Sequence, residues 1–191
     1  MGENETKAVG YRVDAGRSRF VVKAFVTGMF SAFGHSPTIA IRDFAGEAQF
    51  DPDSLKDASL NLRIKADSLE VTDDVSDKDR REIERQMRDD VLETNRYPEI
   101  VFESTDVSAD KITGGQYRAR INGNLSLRGV TRNCTINAQV TVTEGGLRAH
   151  GEFPLRQSDY NIKPVSAAGG TIKLKDELKF SFDMVAHQGR G

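Results

Sequence analysis

The sequence is short of the features that mark several large protein classes. Its 191 residues include 1 cysteine, Cys134, so no disulfide can form within the chain and nothing indicates an oxidising compartment. No stretch approaches the roughly 18 apolar residues that a membrane-spanning helix needs. The first ten residues contain no apolar leader segment either. We therefore expect a cytoplasmic protein, or a periplasmic or secreted one if a leader has been removed.

The sequence has no large excess of positive or negative charge, and it contains few histidines. There are 27 Lys and Arg residues against 29 Asp and Glu, a net charge of −2, so we expect no nucleic acid partner. The 3 histidines are far apart in the chain, and strand alternation turns His150 and His187 outward. Zinc sites need three or four converging ligands. We therefore predict no metal site, no cofactor and no catalytic residue.

What the sequence has in abundance is alternation of apolar and polar residues. In one example, Leu60, Leu62 and Ile64 alternate with polar neighbours. One apolar face and one polar face per strand is typical of an antiparallel sheet that covers a single interior. The pattern is clearest in four segments, 58–66, 117–128, 134–142 and 178–186.

Further strand-like segments raise the predicted number of strands to eight, and turn residues separate them. The additional segments are 19–27, 38–50, 99–108 and 147–156, with turns at 51–53, 114–115, 129 and 145–146. Because closure removes exposed strand edges, these segments predict an all-β fold, an eight-stranded antiparallel barrel of lipocalin-like shape. No linker interrupts the pattern. We expect one domain over residues 10–187, with flexible termini at 1–9 and 188–191.

One segment follows a helical period instead. Between about residues 76 and 94, apolar side chains recur at Ile83, Met87, Val91 and Leu92 while the other positions are mostly charged. Ser76 is a suitable N-cap. We predict one amphipathic helix that lies on the barrel or across its mouth and ends before Pro98. The stretch 157–170 has little pattern and is predicted to be a loop at a barrel end.

The inward strand positions carry large apolar residues with glycine and alanine between them. An eight-stranded barrel is either filled by side chains or holds one small ligand. The small residues, such as Gly46, Gly123 and Gly151, favour an open cavity. The predicted ligand-binding residues on this inner face are Phe20, Val22, Phe44, Leu62, Ile64, Phe102, Leu125, Phe153, Phe180 and Phe182.

Six short motifs follow one another in a specific order and spacing. They are Tyr11–Asp14, Phe44–Pro52, Asp67–Leu69, Tyr97–Ser104, Gly123–Thr131 and Arg156–Ile162. With these motifs the chain resembles the YceI-like family of polyisoprenoid-binding proteins over about residues 10–187. The resemblance implies an eight-stranded lipocalin-like barrel that binds a long isoprenoid or another lipid chain. The chain departs from the family at Glu93–Asn95, where an aromatic pair is common, and at Tyr160–Asn161, where an aromatic residue and glycine are usual.

The leading hypothesis is therefore a carrier, sensor or sequestering protein for a long apolar ligand, whether polyisoprenoid, quinone-like or fatty-acyl. Such a cavity would take its selectivity from polar groups at its mouth, for which His35, Tyr97, Arg156 and Tyr160 are the candidates. Arg156 suits an anionic head group, although a surface ion pair is an equally good interpretation of it.

Two alternatives stay open. The first is an enzyme that acts on a lipid or small molecule with His35 as its base, although His35 is also typical of a histidine that fixes a turn. The second is a structural or interaction barrel whose interior is filled by side chains. An amphipathic helix and open barrel ends are also compatible with a homodimer.

Overall fold

The computed structural model describes residues 9–27, 36–51, 53, 57–167 and 172–189. Within these residues the chain forms β-strands for most of its length. The strands are β1 (Val9–Val13), β2 (Arg19–Lys23), β3 (Val26–Thr27), β4 (Thr38–Ile41), β5 (Phe44–Phe50), β6 (Ser59–Lys65), β7 (Leu69–Val71), β8 (Glu99–Thr113), β9 (Gln116–Leu127), β10 (Val130–Thr143), β11 (Gly146–Arg156), β12 (Ser166–Ala167), β13 (Ile172–Leu174) and β14 (Glu177–Gln188).

The main sheet closes on itself as a barrel. Its order is β1, β5, β6, β8, β9, β10, β11 and β14, and β14 pairs back with β1 through Tyr11 opposite Gln188. All of these pairings are antiparallel. Three short strands prolong three of the long ones: β2 prolongs β1, β4 prolongs β5 and β7 prolongs β6. The predicted eight-stranded antiparallel barrel is confirmed. Seven of the predicted segments overlap seven of its strands, whereas segment 19–27 forms the short strands β2 and β3 and the eighth barrel strand is β1.

The predicted helix is also present. Helix α1 spans Asp77–Gln86 and continues into a π-helical turn, Met87–Val91. Its N-terminus is capped as expected, because the Ser76 hydroxyl accepts a hydrogen bond from the Asp79 amide at 3.1 Å. The helical course stops before Glu93, which has a positive φ of 49°, and so it ends some residues before Pro98.

Side chains on α1 hold it against β7. The Arg80 guanidinium donates to the Val71 carbonyl oxygen and, at 3.1 Å, to that of Asp73. In return, the Glu84 carboxylate accepts a hydrogen bond from the Val71 amide at 3.0 Å. Because β7 lies at the rim of the barrel, these bonds place the helix across that end.

The opposite end of the barrel is filled by side chains, and we call it the packed end. It lies beside the turns that join β8 to β9 and β10 to β11. There the Phe50 and Tyr117 rings meet edge to face with their centroids 5.1 Å apart. The residues buried around them are Tyr11, Val13, Ala48, Ala119, Ala138, Leu147 and Ala186.

Near α1, at what we call the cavity end, two neighbouring strands separate. β10 pairs with β9 along nearly its whole length, but it pairs with β11 only from Gln139 opposite His150 to Thr143 opposite Gly146. The 3₁₀ helix Gln157–Tyr160, which we call the wedge helix, follows β11 and packs against β10. The stretch 157–167, predicted as a loop, is therefore partly helical, and 168–171 lie outside the described residues.

Candidate functional site

The barrel encloses an apolar cavity of about 380 Å³ at the cavity end. Its wall contains two polar side chains among the described residues, Gln86 and Gln157. The strands contribute Phe20, Val22, Val26, Ile39, Ile41, Leu60, Leu62, Ile64, Leu69, Ile100, Phe102, Ile121, Leu125, Leu127, Ile136, Ala149, Phe153, Leu155, Leu174, Leu178, Phe180, Phe182 and Met184, and the connecting segments contribute Ala24, Pro37, Ile162 and Val165.

Strand alternation is what turns these side chains inward. On β14, Leu178, Phe180, Phe182 and Met184 occupy every second position and all line the cavity. Phe180 lies at the centre of an aromatic cluster, with its ring centroid 4.9 Å from that of Phe153 and 6.0 Å from that of Phe20. One side of the cavity is therefore an aromatic surface.

The helical segment covers the cavity at the barrel mouth. The wall includes Ile83 and Gln86 from α1, Met87 and Val91 from the π-helical turn, and Leu92 just after it. Met87 and Leu92 are buried. The helix therefore covers the cavity with its apolar side, and its charged side faces solvent.

Both glutamines of the wall already have protein partners. The Gln86 side-chain amide donates to the Glu82 carboxylate at 2.8 Å, and that of Gln157 donates to the Lys175 carbonyl oxygen at 3.0 Å. Gln157 is also buried. The two amide nitrogens therefore add little polarity to the apolar wall of the cavity.

The structure separates the predicted ligand-binding residues into groups. The nine that line the barrel cavity are Phe20, Val22, Leu62, Ile64, Phe102, Leu125, Phe153, Phe180 and Phe182. Phe44 is buried but does not line it, because its ring packs edge to face on Phe20 with centroids 4.5 Å apart. His35 lies outside the described residues. A role of these side chains in binding stays a prediction.

Tyr97, predicted at the cavity mouth, has a different place. It does not line the barrel cavity; its ring covers Gly129, where a Cβ atom would come within 2.5 Å of it. The Arg96 guanidinium lies over the same ring, 5.1 Å from its centroid. Nearby, Arg128 donates to the Asn161 carbonyl oxygen at 2.7 Å and pairs with the Glu93 carboxylate. Tyr97 therefore belongs to a structural support that joins the helix to the barrel.

Arg156 and Tyr160 lie together in a second cavity, of about 350 Å³, which we call the side cavity. It occupies the place where β10 and β11 separate. Its wall consists of Leu125, Arg132, Asn133, Cys134, Phe153, Pro154, Leu155, Arg156, Asp159, Tyr160 and Glu177. Arg156 is exposed, whereas Tyr160 is 3% exposed. The sequence placed both residues at the barrel mouth, and the structure places them at the side of the barrel.

Burial changes the acidity of two groups in the side cavity. It raises the pKa of the Tyr160 phenol to about 12, with smaller contributions from the nearby Cys134 and Asp159. Burial also raises the pKa of the Cys134 thiol. At neutral pH both groups are therefore protonated, and each has a hydrogen to donate.

Several wall residues were not among the predicted ligand-binding set. Ile83, Met87, Val91 and Leu92 were recognised as the apolar stripe of the helix, and that stripe was the signal that they face the interior. Gln157 gave no such signal. It faces the cavity because the wedge helix ends the alternation of β11.

Two features are absent from the part of the chain that the structure describes. No helix in that part of the chain is long and apolar enough to cross a membrane. No three histidine, cysteine, aspartate or glutamate side chains there lie close enough together to hold a metal ion.

Among solved structures, the fold is similar to two proteins in particular. BcnA from Burkholderia cenocepacia superposes with a TM-score of 0.69 at 18% identity, over 91% of this chain and 98% of that protein. A polyisoprenoid binding domain from Saccharophagus degradans, implicated in plant cell wall breakdown, superposes with a TM-score of 0.67 at 14% identity, over 95% of this chain and 99% of the domain. At these identities the likeness establishes the fold.

Sequence relatives and a family model agree with the fold. A UPF0312 protein from Shewanella denitrificans is 33% identical over 159 residues, which cover 79% of this chain and 72% of the relative. Protein YceI from Shigella flexneri is 31% identical over 147 residues, covering 73% and 71%. The model of the YceI-like domain matches residues 11–186. The chain belongs to the YceI-like family.

Proposed function

We propose that the protein binds a ligand with a long apolar tail and holds that tail inside the barrel. The observation that carries the proposal is the cavity of about 380 Å³ inside the barrel, whose wall consists almost purely of apolar side chains. Its volume is in the lower part of the range of about 300 to 1,000 Å³ that is usual for small-molecule sites.

Water is a poor occupant of such a space. The volume corresponds to about a dozen water molecules, and each buried water needs two to four polar partners. The wall offers the side chains of Gln86 and Gln157, and both amide nitrogens are already hydrogen-bonded to protein. An apolar chain loses nothing there and gains contact with the wall.

The same wall favours binding over catalysis. Among the described residues that line the barrel cavity, none has an ionisable side chain. General acid–base or nucleophilic catalysis would need at least one such group within reach of the ligand. We therefore propose a carrier, sensor or sequestering protein.

The comparisons support a lipid as the ligand. The Saccharophagus degradans structure is described as a polyisoprenoid binding domain, and its fold is that of this chain. By analogy we propose a polyisoprenoid, quinone-like or fatty-acyl ligand here.

The first test is native mass spectrometry of gently purified protein, followed by organic extraction and identification of any lipid. We expect a near-stoichiometric adduct that dissociates into an apolar chain compound. A clean mass that stays unchanged after incubation with geranylgeraniol and with palmitate would contradict the proposal.

A pair of variants tests where the ligand binds. Leu62 faces the cavity and its neighbour Asn61 faces solvent on the same strand. We expect Leu62→Trp to occupy part of the cavity and to lower the affinity for geranylgeraniol at least about tenfold. Asn61→Trp adds the same side chain outside, and its affinity should stay within about twofold of the wild type. Equal affinities for all three proteins would place the ligand elsewhere.

A further inference from the structure

The side cavity exists because one pair of strands in the barrel comes apart. From Val130 to Ala138, β10 has no pairing with β11, and from Gly151 to Arg156, β11 has none with β10. The wedge helix enters this gap, where the Arg132 guanidinium donates to the Asp159 carbonyl oxygen at 2.9 Å. An opening in the barrel wall is thus lined by side chains and not sealed by backbone hydrogen bonds.

Tyr160 presents an unused hydrogen-bond donor in this opening. The residue is 3% exposed, and its hydroxyl has no hydrogen-bond partner among the described residues. Of the side-chain nitrogen and oxygen atoms in the described residues, only Arg128 Nε is both fully enclosed and without a partner. The Tyr160 hydroxyl, which also has no partner, is therefore not fully enclosed and reaches accessible space. A ligand oxygen that enters the side cavity can accept the hydrogen bond that this hydroxyl has to donate.

The side cavity borders the barrel cavity. Leu125, Phe153 and Leu155 line both spaces, so the two cavities adjoin at these three side chains. The two cavities differ in chemistry, since Arg132 and Arg156 line the side cavity and no described residue of the barrel cavity has an ionisable side chain. The adjoining spaces match a molecule with an apolar tail and a polar end.

We propose that the side cavity holds the head of the ligand, an oxygen that accepts a hydrogen bond from the Tyr160 hydroxyl, while the tail occupies the barrel. The inference rests on the proposed function and adds the position and chemistry of the head. An acceptor oxygen occurs both in carboxylates and in neutral carbonyl groups. Arg132 and Arg156 lie beside it on the exposed rim, as do the carboxylates of Asp159 and Glu177.

The test compares three ligands that share one tail: palmitate, methyl palmitate and pentadecane, which lacks the head. Tyr160→Phe removes the hydroxyl alone. We expect this variant to bind palmitate and methyl palmitate about three- to tenfold more weakly, and pentadecane within about twofold of the wild type. Unchanged affinities for both headed ligands would overturn the inference while leaving the proposed function intact. Failure of wild-type protein to bind any of the three would instead count against the proposed function.

Arg156→Gln distinguishes the two kinds of head. A carboxylate beside the guanidinium predicts that this variant weakens palmitate binding alone, about fivefold or more. If the head is a neutral carbonyl, Tyr160→Phe weakens both headed ligands and Arg156→Gln weakens neither. Arg120→Gln is the matched control, because Arg120 is exposed on β9 and lines neither cavity.

Cys134 supplies a second measurement on the unaltered protein. It is the only cysteine of the chain, it lines the side cavity, and it is half-buried. A head bound in the side cavity should slow alkylation of Cys134 by iodoacetamide at least about threefold at saturating palmitate. Saturating pentadecane, whose tail stays in the barrel, should leave the rate unchanged. Equal rates with and without palmitate would place the head elsewhere.

Discussion

The two ends of this barrel share one backbone plan and use it differently. At the packed end, aromatic rings such as Phe50 and Tyr117 meet across the interior and fill it. At the cavity end, aromatic rings such as Phe180 and Phe182 lie along the wall and leave an enclosed space. The packed end supplies stability through close packing, and the cavity end gives up packing to make room for a ligand.

Truncating one phenylalanine at each end should give the largest difference. Phe50 is 7% exposed and in contact with the Tyr117 ring, so we expect Phe50→Ala to lower the free energy of unfolding by about 3–5 kcal/mol. Phe182 is only partly buried and borders the cavity, so Phe182→Ala should cost about 2 kcal/mol. Urea denaturation of ligand-free protein measures both values. Equal losses would show that the two ends are packed alike.

The small residues of the inner face have a role that sequence alone did not reveal. They were taken to indicate an open cavity, yet Ala48, Ala119 and Ala138 are buried at the packed end and do not line the cavity. Gly123 leaves room for the Phe102 ring, since a Cβ atom there would lie 2.5 Å from it. The cavity was predicted correctly, but from a feature that mainly serves packing.

Gly123→Ala tests this role of glycine. The added methyl group would also lie 2.6 Å from the Glu103 carbonyl oxygen, which belongs to a paired strand and has little freedom to move. We expect a loss of about 2 kcal/mol in the free energy of unfolding. Gly10→Ala is the control, because nothing lies within 4 Å of a Cβ atom at Gly10, and its effect should be within about 0.5 kcal/mol. Similar losses of stability in the two variants would mean that the fold does not depend on the close approach of Phe102 and Glu103 to Gly123.

Local periodicity explains which features could be predicted from the sequence. Alternation predicted the strands and the i, i+4 spacing of Ile83, Met87 and Val91 predicted the helix, because both patterns are set by neighbours along the chain. The point at which β10 and β11 stop pairing depends on contacts between residues far apart in the chain, so local periodicity does not predict it. Arg156 and Tyr160 therefore lie at the side cavity and not at the mouth where the sequence placed them, and their role in binding stays a prediction.

The smallest expected effect on stability concerns the outer surface, which is charged at both ends of the barrel. On the seam between β11 and β14, the Arg148 guanidinium holds the pKa of the Asp183 carboxyl below its usual range. A carboxyl with a lowered pKa in the folded state stabilises the protein above its unfolded value of about 4, and that contribution is lost as the pH falls through the folded value. The pair is largely exposed to solvent, so its contribution to stability is small. Asp183→Asn should therefore lower stability slightly at pH 7, and its difference from wild type should shrink as the pH falls below about 4. A difference in stability that stays constant on acidification would mean that Asp183 acts through packing, like the residues of the packed end, and not through its charge.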